Sequence, residues 1–212
     1  MDEIDIIIPI KSKSNRIENK NFRLLNDKPL FRYTLDYALN LPFVNKVILC
    51  TDKRVDDLNN LKNDRLIIFD RPEWTTFDNV SNLEFIKFWS ETTSPIVRNI
   101  CLLQTTHPYR KLSDFKVGFK KFSINKNLTV GIFESKAHMI SPKSFEIISK
   151  SLQVSGQYYF FNLDKIDFSK KFLTQDFEHF TLNKNHIEIN IDNEADWVSA
   201  EYFCKKYEYF IL

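Results

Sequence analysis

The feature that most constrains this chain is an alternation. Short runs rich in Ile, Val, Leu and Phe recur along it, separated by segments whose apolar residues return at three- and four-residue intervals. Runs of four to seven apolar residues fit buried strands, and the segments between them fit helices laid on a sheet. Ile4 to Ile10 is the first expected strand. Pro29 to Leu41 is a helix with Pro at its start and a stripe through Leu30, Tyr33, Thr34, Tyr37, Ala38 and Leu41. Strands follow at Lys46–Cys50, Leu66–Phe69, Asn99–Gln104 and Leu128–Phe133. Helices are expected at Asp52–Leu61, at Asn79–Glu91 and, capped by Ser113, at Asp114–Phe122. From Glu134 to His186 the pattern loosens, with a helix expected around Lys143–Ser151 and a strand around Tyr158–Leu163. A strand at Ile187–Ile191 and a helix from Glu194 to about Tyr207 close the chain. The fold class that follows is α/β, a three-layer α/β/α sandwich on a mostly parallel, Rossmann-like sheet.

Nothing in the 212 residues looks like a linker, so one domain over 1–212 is expected. With 43% hydrophobic residues the chain can bury a core, and its net charge of +2 is too small to argue for a nucleic-acid partner. No apolar run approaches the roughly 18 residues of a membrane span, and no signal peptide is visible. Cys50, Cys101 and Cys204 are far apart, odd in number and set in apolar patterns, which reads as reduced core thiols of a cytoplasmic protein.

The first strand runs through Pro9 into Lys11-Ser-Lys-Ser-Asn-Arg16-Ile-Glu-Asn-Lys20-Asn21. Four cations within ten residues, at the end of a strand of an α/β sheet, form an anion site, because ligands of such sheets collect outside the carboxyl ends of strands. Phosphate is the natural anion. Yet the chain holds only three glycines, Gly118, Gly131 and Gly156, so neither GxGxxG nor GxxxxGK[ST] is present. If phosphate binds, side chains must supply much of what a glycine loop does with its backbone.

Asp192 follows the last apolar run and is placed to hold a hard cation such as Mg²⁺, which takes one or two protein carboxylates besides water and phosphate. The competing structural role is helix capping, by Asp192 or by Asn193. Arg71, after the third strand, can fork onto phosphate or base, and Gln104, ending the fourth, can pair with a base or sugar. The histidines at 107, 138, 179 and 186 form no recognisable hydrolytic spacing.

Taken in order, these segments resemble the cytidylyltransferases that make CMP-activated nine-carbon sugar acids, the CMP-sialic acid synthetase family. The first loop keeps the length of that family's P-A-R-G-G-S-K-R-I-P-R-K-N segment, and Asp27-Lys28-Pro29-Leu30 is similar to its G-K-P-L. Cys50-Thr51-Asp52 resembles S-T-D, and Arg71-Pro72 with Thr76 and Asp78 resembles R-P-x-x-x-A-x-D. The run from Leu102 through Gln104 to Arg110 resembles L-L-Q-P-T-S-P-L-R, the most specific match. Ser155-Gly156-Gln157-Tyr158-Tyr159 resembles N-G-A-I-Y, and Asn190-Ile191-Asp192 resembles D-I-D. The departures are Lys11 for Arg, Ser12 and Lys13 for two glycines, Asn15 for Lys, and Asn190 for the first carboxylate of a metal pair. A shorter acceptor and dimerisation segment, around 134–186, is a further departure.

The resemblance implies a CTP-dependent nucleotidyltransferase that moves CMP to the anomeric hydroxyl of a sialic-acid-like 2-keto sugar acid, in the biosynthesis of cell-surface polysaccharide. It implies catalytic roles for Lys11, Lys20 and Asp192, and nucleotide contacts from Lys11, Ser14, Arg16, Lys20, Asn21, Arg71 and Asp78. It places Gln104 and Tyr158 on the acceptor sugar and Mg²⁺ on Asp192 and Asn190. CTP and a keto-sugar acid are the implied partners, with a homodimer as the assembly. The substitutions at Lys11, Asn15 and Asn190 leave open a weakened or inactive nucleotide-binding relative, and the short acceptor segment leaves open another nucleotide or acceptor.

Overall fold

The computed structural model describes residues 3–53, 58, 61–140, 147–183 and 188–206, with the backbone alone at 135–140 and 147–151. In chain order the strands are β1 (Ile4–Ile10), β2 (Leu24–Leu25), β3 (Lys28–Pro29), β4 (Val44–Thr51), β5 (Leu66–Asp70), β6 (Asn99–Leu102), β7 (Thr129–Ile140), β8 (Ile147–Asn162) and β9 (Glu178–Thr181). The helices are α1 (Leu30–Leu39), α2 (Asn82–Thr93), α3 (Leu112–Asn125) and α4 (Glu194–Lys206).

Seven strands form one sheet in the order β5-β4-β1-β6-β8-β7-β9. The pairings β1–β4, β4–β5, β1–β6 and β7–β9 are parallel, while β8 runs antiparallel to both β6 and β7. The expected α/β sandwich is therefore present. β1 lies inside the sheet, which explains its continuous Ile run: Ile4, Ile6, Ile8 and Ile10 pack with residues of α1 and α3, and Ile7 packs with α2 on the other face. A third cluster joins α4 (Trp197, Ala200, Cys204) to Ile17 of the first loop, Leu30 and Tyr33 of α1, and Ile191. All three cysteines are buried and free, as expected of core thiols. Among the described residues no helix is long and apolar enough to cross a membrane.

Several local expectations are corrected. Residues 147–151 belong to β8, paired with β7 through His138↔Lys150 and Ile140↔Ile147, and not to a helix; 141–146 lie outside the described residues. The helical spacing there gives way to a cross-strand partner that periodicity within one segment cannot show. Glu188–Ile191 is irregular chain and not a strand, with Ile191 N–H donated to Thr106 O at 2.8 Å. Its alternation arises because Ile191 is buried while Asn190 is exposed. α3 begins at Leu112 with Lys111, not Ser113, at its cap. The β2–β3 hairpin turns on Asn26 and Asp27 at φ 49° and 62°, the geometry of a two-residue primed turn. The expected helix at Asp52–Leu61 falls largely outside the described residues, as do Ile187 and Tyr207.

Candidate active site

The first loop leaves β1 at the carboxyl edge of the parallel strands, and four supports shape it without glycine. At the end of β4, the Asp52 carboxylate accepts the Ser12 amide at 2.6 Å and the Ser12 hydroxyl at 2.8 Å. Asn21 donates from Nδ2 to Lys11 O at 2.9 Å and accepts from Thr105 Oγ1 at 2.7 Å, tying the loop to the chain after β6. Ile17 is buried against α1 and α4. Asn19, in the left-handed region at φ 49°, turns the chain so that Phe22 N and Arg23 N both donate to its carbonyl. Asp52 had no assigned role, although its place after β4 is the signal that could have found it.

The loop's cations converge on two carboxylates. Lys11 Nζ stands 2.8 Å from Asp78 Oδ1, and Asn15 Nδ2 donates to Asp78 Oδ2 at 2.6 Å. The Lys11 hydrogen bond and charge hold the Asp78 carboxyl below the usual carboxylate range. Arg16 Nη2 lies 3.1 Å and Lys20 Nζ 3.7 Å from Asp192 Oδ1, and Lys20 also donates to Ile191 O at 2.8 Å. Burial pushes the Lys20 ammonium below its ordinary value; Asp192 opposes that shift, and the charges of Arg16 and Lys11 add to it. Asn190 Nδ2 donates to Asp192 Oδ2 at 2.8 Å. Cap and carboxylate are separate residues here: Asn193 Oδ1 accepts Asp196 N, Asp196 accepts Asn193 N, and the Asp192 side chain faces the loop cations. Ser14 lies half-buried within the same loop.

Two residues expected to touch ligands are placed elsewhere. Arg71 is buried, donates from Nε to Thr75 Oγ1 at 3.0 Å and stacks 4.3 Å from the Phe85 ring, so it holds the 3-10 turn Glu73–Thr76 against α2. Tyr158 is fully buried among Phe115, Phe160 and Phe180, with its hydroxyl 3.0 Å from Tyr37 Oη and donated to Lys111 O at 3.1 Å. The sheet has helices on both faces, and at this point of β8 Tyr158 meets one core cluster while Tyr159 meets the other. Gln104 is half-buried after β6, and its Oε1 lies 3.7 Å from the point a Cβ on Gly156 would occupy. On the flank of the loop, a cavity of about 720 Å³ is lined by Ser12, Glu18, Asn19, Phe22, Arg23, Lys53 and Glu194. It shares Ser12 and Asn19 with the residues that shape the loop, and none of its lining residues belongs to the cation cluster itself.

A family model described as cytidylyltransferase matches residues 6–88, the stretch carrying β1, the first loop, Asp52, Arg71 and Asp78. N-acylneuraminate cytidylyltransferase of Escherichia coli O18:K1:H7 is 36% identical over 110 residues, 51% of this chain. CMP-N,N'-diacetyllegionaminic acid synthase of Legionella pneumophila is 22% identical over 217 residues, 92% of this chain and 93% of its own length. The chain is thus similar to cytidylyltransferases, over its first strands and first loop by the family model and over most of its length at low identity. It spans only 25% of the length of the E. coli relative. The fold is shared with a CMP:2-keto-3-deoxy-manno-octonic acid synthetase complexed with CTP, at a TM-score of 0.73, 14% identity, and 96% and 99% coverage of the two chains. A 4-diphosphocytidyl-2C-methyl-D-erythritol synthase from Anaerococcus prevotii aligns at a TM-score of 0.67, 11% identity, and 96% and 99% coverage.

Proposed function

We propose that the protein transfers CMP from CTP to the anomeric hydroxyl of a nine-carbon, sialic-acid-like 2-keto sugar acid. The hydroxyl oxygen forms a bond to the α-phosphorus, the bond to the bridging oxygen breaks, pyrophosphate leaves, and the hydroxyl proton is lost. No covalent enzyme intermediate is required, so the protein's work is positioning and charge neutralisation. The carrying observation is that Lys11, Arg16 and Lys20 are all paired with carboxylates at the carboxyl edge of β1. Asp78 and Asp192 occupy positions that triphosphate oxygens can take over, and the cations are already arrayed for them. Ser14 and Asn21 support the same loop.

Among the described residues no three His, Cys, Asp or Glu side chains converge as a metal site. Asp192 with the amide oxygen of Asn190 fits a more modest donor set, suited to a magnesium ion held chiefly by water and triphosphate oxygens. Bound there, the ion would neutralise charge on the departing pyrophosphate. Drawing Arg16 and Lys20 onto phosphate frees the Asp192 oxygen they now share.

One observation favours a second reading. Arg71, implied by the resemblance to face cytidine, is committed to Thr75 and Phe85, which weakens the case for cytosine over other bases. Pyrophosphate release measured with each of the four ribonucleoside triphosphates, Mg²⁺ and a panel of keto-sugar acids decides. Dependence on CTP and a nine-carbon acid supports the first reading; another pair supports the second; nucleotide binding without release contradicts both. For the assembly we propose a homodimer through the β7–β8 ribbon. That ribbon continues from Glu134↔Leu152 to Ile140↔Ile147, past the last pairing with β9 at Ile132↔Thr181. Light scattering on the wild type and a chain lacking residues 135–151 tests it: loss of a dimer supports the assignment, and an unchanged mass contradicts it.

A further inference from the structure

A second constellation stands on the β8 side of the cleft. The buried Arg110 guanidinium donates to three main-chain carbonyls, those of Gln104, His107 and Gln157, and so locks the chain after β6 to the bend in β8. Within that frame Gly156 adopts φ +75°, and a Cβ there would lie 2.9 Å from His107 Cε1 and 3.4 Å from Nε2. Only glycine lets the backbone pass so close to the ring in that conformation.

His107 is 3% exposed. Its Nδ1 is 3.1 Å from Thr106 Oγ1, whereas Nε2 is buried without a hydrogen bond of ordinary length. Glu188 Oε1 stands 3.5 Å from Nε2, and Oε2 of the same carboxylate accepts Gln157 Nε2 at 3.1 Å. Burial lowers the imidazole's proton affinity more than Glu188 restores it, so the ring is neutral near pH 7. A buried polar atom of this kind calls for a partner.

The chemistry of this side opposes that of the loop. Gln104 Oε1 and the Glu188 carboxylate accept hydrogen bonds, a neutral imidazole can serve in either sense, and the Arg110 guanidinium is spent on the three main-chain carbonyls, which leaves Glu188 as a negative charge on this side. Hydroxyl and amide N–H groups fit such a lining, while a carboxylate or phosphate is repelled by Glu188 and attracted to Lys11, Arg16 and Lys20.

We propose that His107 and Glu188, with Gln104, recognise the uncharged, hydrogen-bond-donating end of the acceptor sugar, its hydroxyl and acylamino groups, with its carboxylate turned towards the cationic loop. This rests on the nucleotidyl transfer proposed above and adds two specificity-determining side chains and an orientation. The test is imidazole NMR of the full ¹⁵N-labelled chain, with His107→Gln identifying the His107 signals. N-acetylneuraminic acid and N,N'-diacetyllegionaminic acid serve as probes, and CTP binding is titrated separately. Steady-state kinetics of Glu188→Gln accompany it. The expected result is that at least one sugar acid shifts the His107 signals. Glu188→Gln should raise the acceptor KM by about tenfold while the CTP KM stays within about twofold. Turnover with unmoved His107 signals and an unchanged acceptor KM overturns this inference and leaves the activity standing. Shifted His107 signals without CTP binding overturn the activity and leave the recognition site standing. Neither CTP binding nor a shift overturns both.

Discussion

Replacing Lys20 by Met separates the two roles the site gives this residue. Lys20 is 13% exposed, donates to Ile191 O at 2.8 Å and helps neutralise Asp192 at 3.7 Å. Met keeps the volume of the stem, so the structural loss is confined to one charge-assisted hydrogen bond and part of an ion pair, about 1.5 to 3 kcal/mol. If Lys20 also holds a phosphate during transfer, the variant loses transition-state stabilisation of about 3 kcal/mol, roughly a hundredfold in kcat. Urea unfolding reads the first quantity; CTP calorimetry and pyrophosphate release read the second. Adding Asp192→Asn removes the charge that Lys20 balances and should recover stability without recovering CTP affinity. CTP affinity within threefold of wild type in Lys20→Met, or its full return in the double variant, would refute a phosphate role and leave Lys20 as the partner of Asp192.

Three further outcomes follow from the packing. Tyr158→Phe removes a buried hydroxyl shared with Tyr37 and Lys111 O, so unfolding should lose about 1 kcal/mol while the acceptor KM stays unchanged; a raised KM would return Tyr158 to the cleft. Gly118→Ala would gain about 1 kcal/mol of helix propensity, but its Cβ would meet Phe160 and Phe180 at 2.6 Å, and overpacking of about 1 to 3 kcal/mol should make the variant less stable in urea. The His107 pKa is lowered on folding, so its favourable contribution is complete above the unfolded value near 6.5 and declines as pH falls below it. The wild-type urea midpoint should therefore fall between about pH 7 and 5.5 more steeply than that of His107→Gln, and equal slopes would contradict the buried neutral imidazole.

The architecture was legible where the determinant is local. The Ile run of β1, the Leu30–Ala38 stripe of α1 and the cation-rich loop are carried by neighbouring residues, and all lie where periodicity puts them. Long-range pairing was not legible. Residues 147–151 become strand because β7 lies beside them, and Glu188–Ile191 is irregular, with no ladder partner among the described residues. The same division runs through the site. Arg16, Lys20, Asn190 and Asp192 lie together, since the end of β1 and the start of α4 fix their places. Arg71 lies buried against Thr75 and Phe85 and Tyr158 among Phe115, Phe160 and Phe180, packing that a motif does not show. Glu188 carried no signal at all, because its role depends on His107, 81 residues away in sequence and joined to it only by the fold.

Mass spectrometry of the product after incubation with CTP, Mg²⁺ and N-acetylneuraminic or N,N'-diacetyllegionaminic acid tests the central claim most directly. The account predicts a CMP-sugar of the summed mass less pyrophosphate, formed by the wild type and reduced at least about a hundredfold in Lys11→Ala and Asp192→Ala. No such product from the wild type, or wild-type yields from both variants, would contradict it.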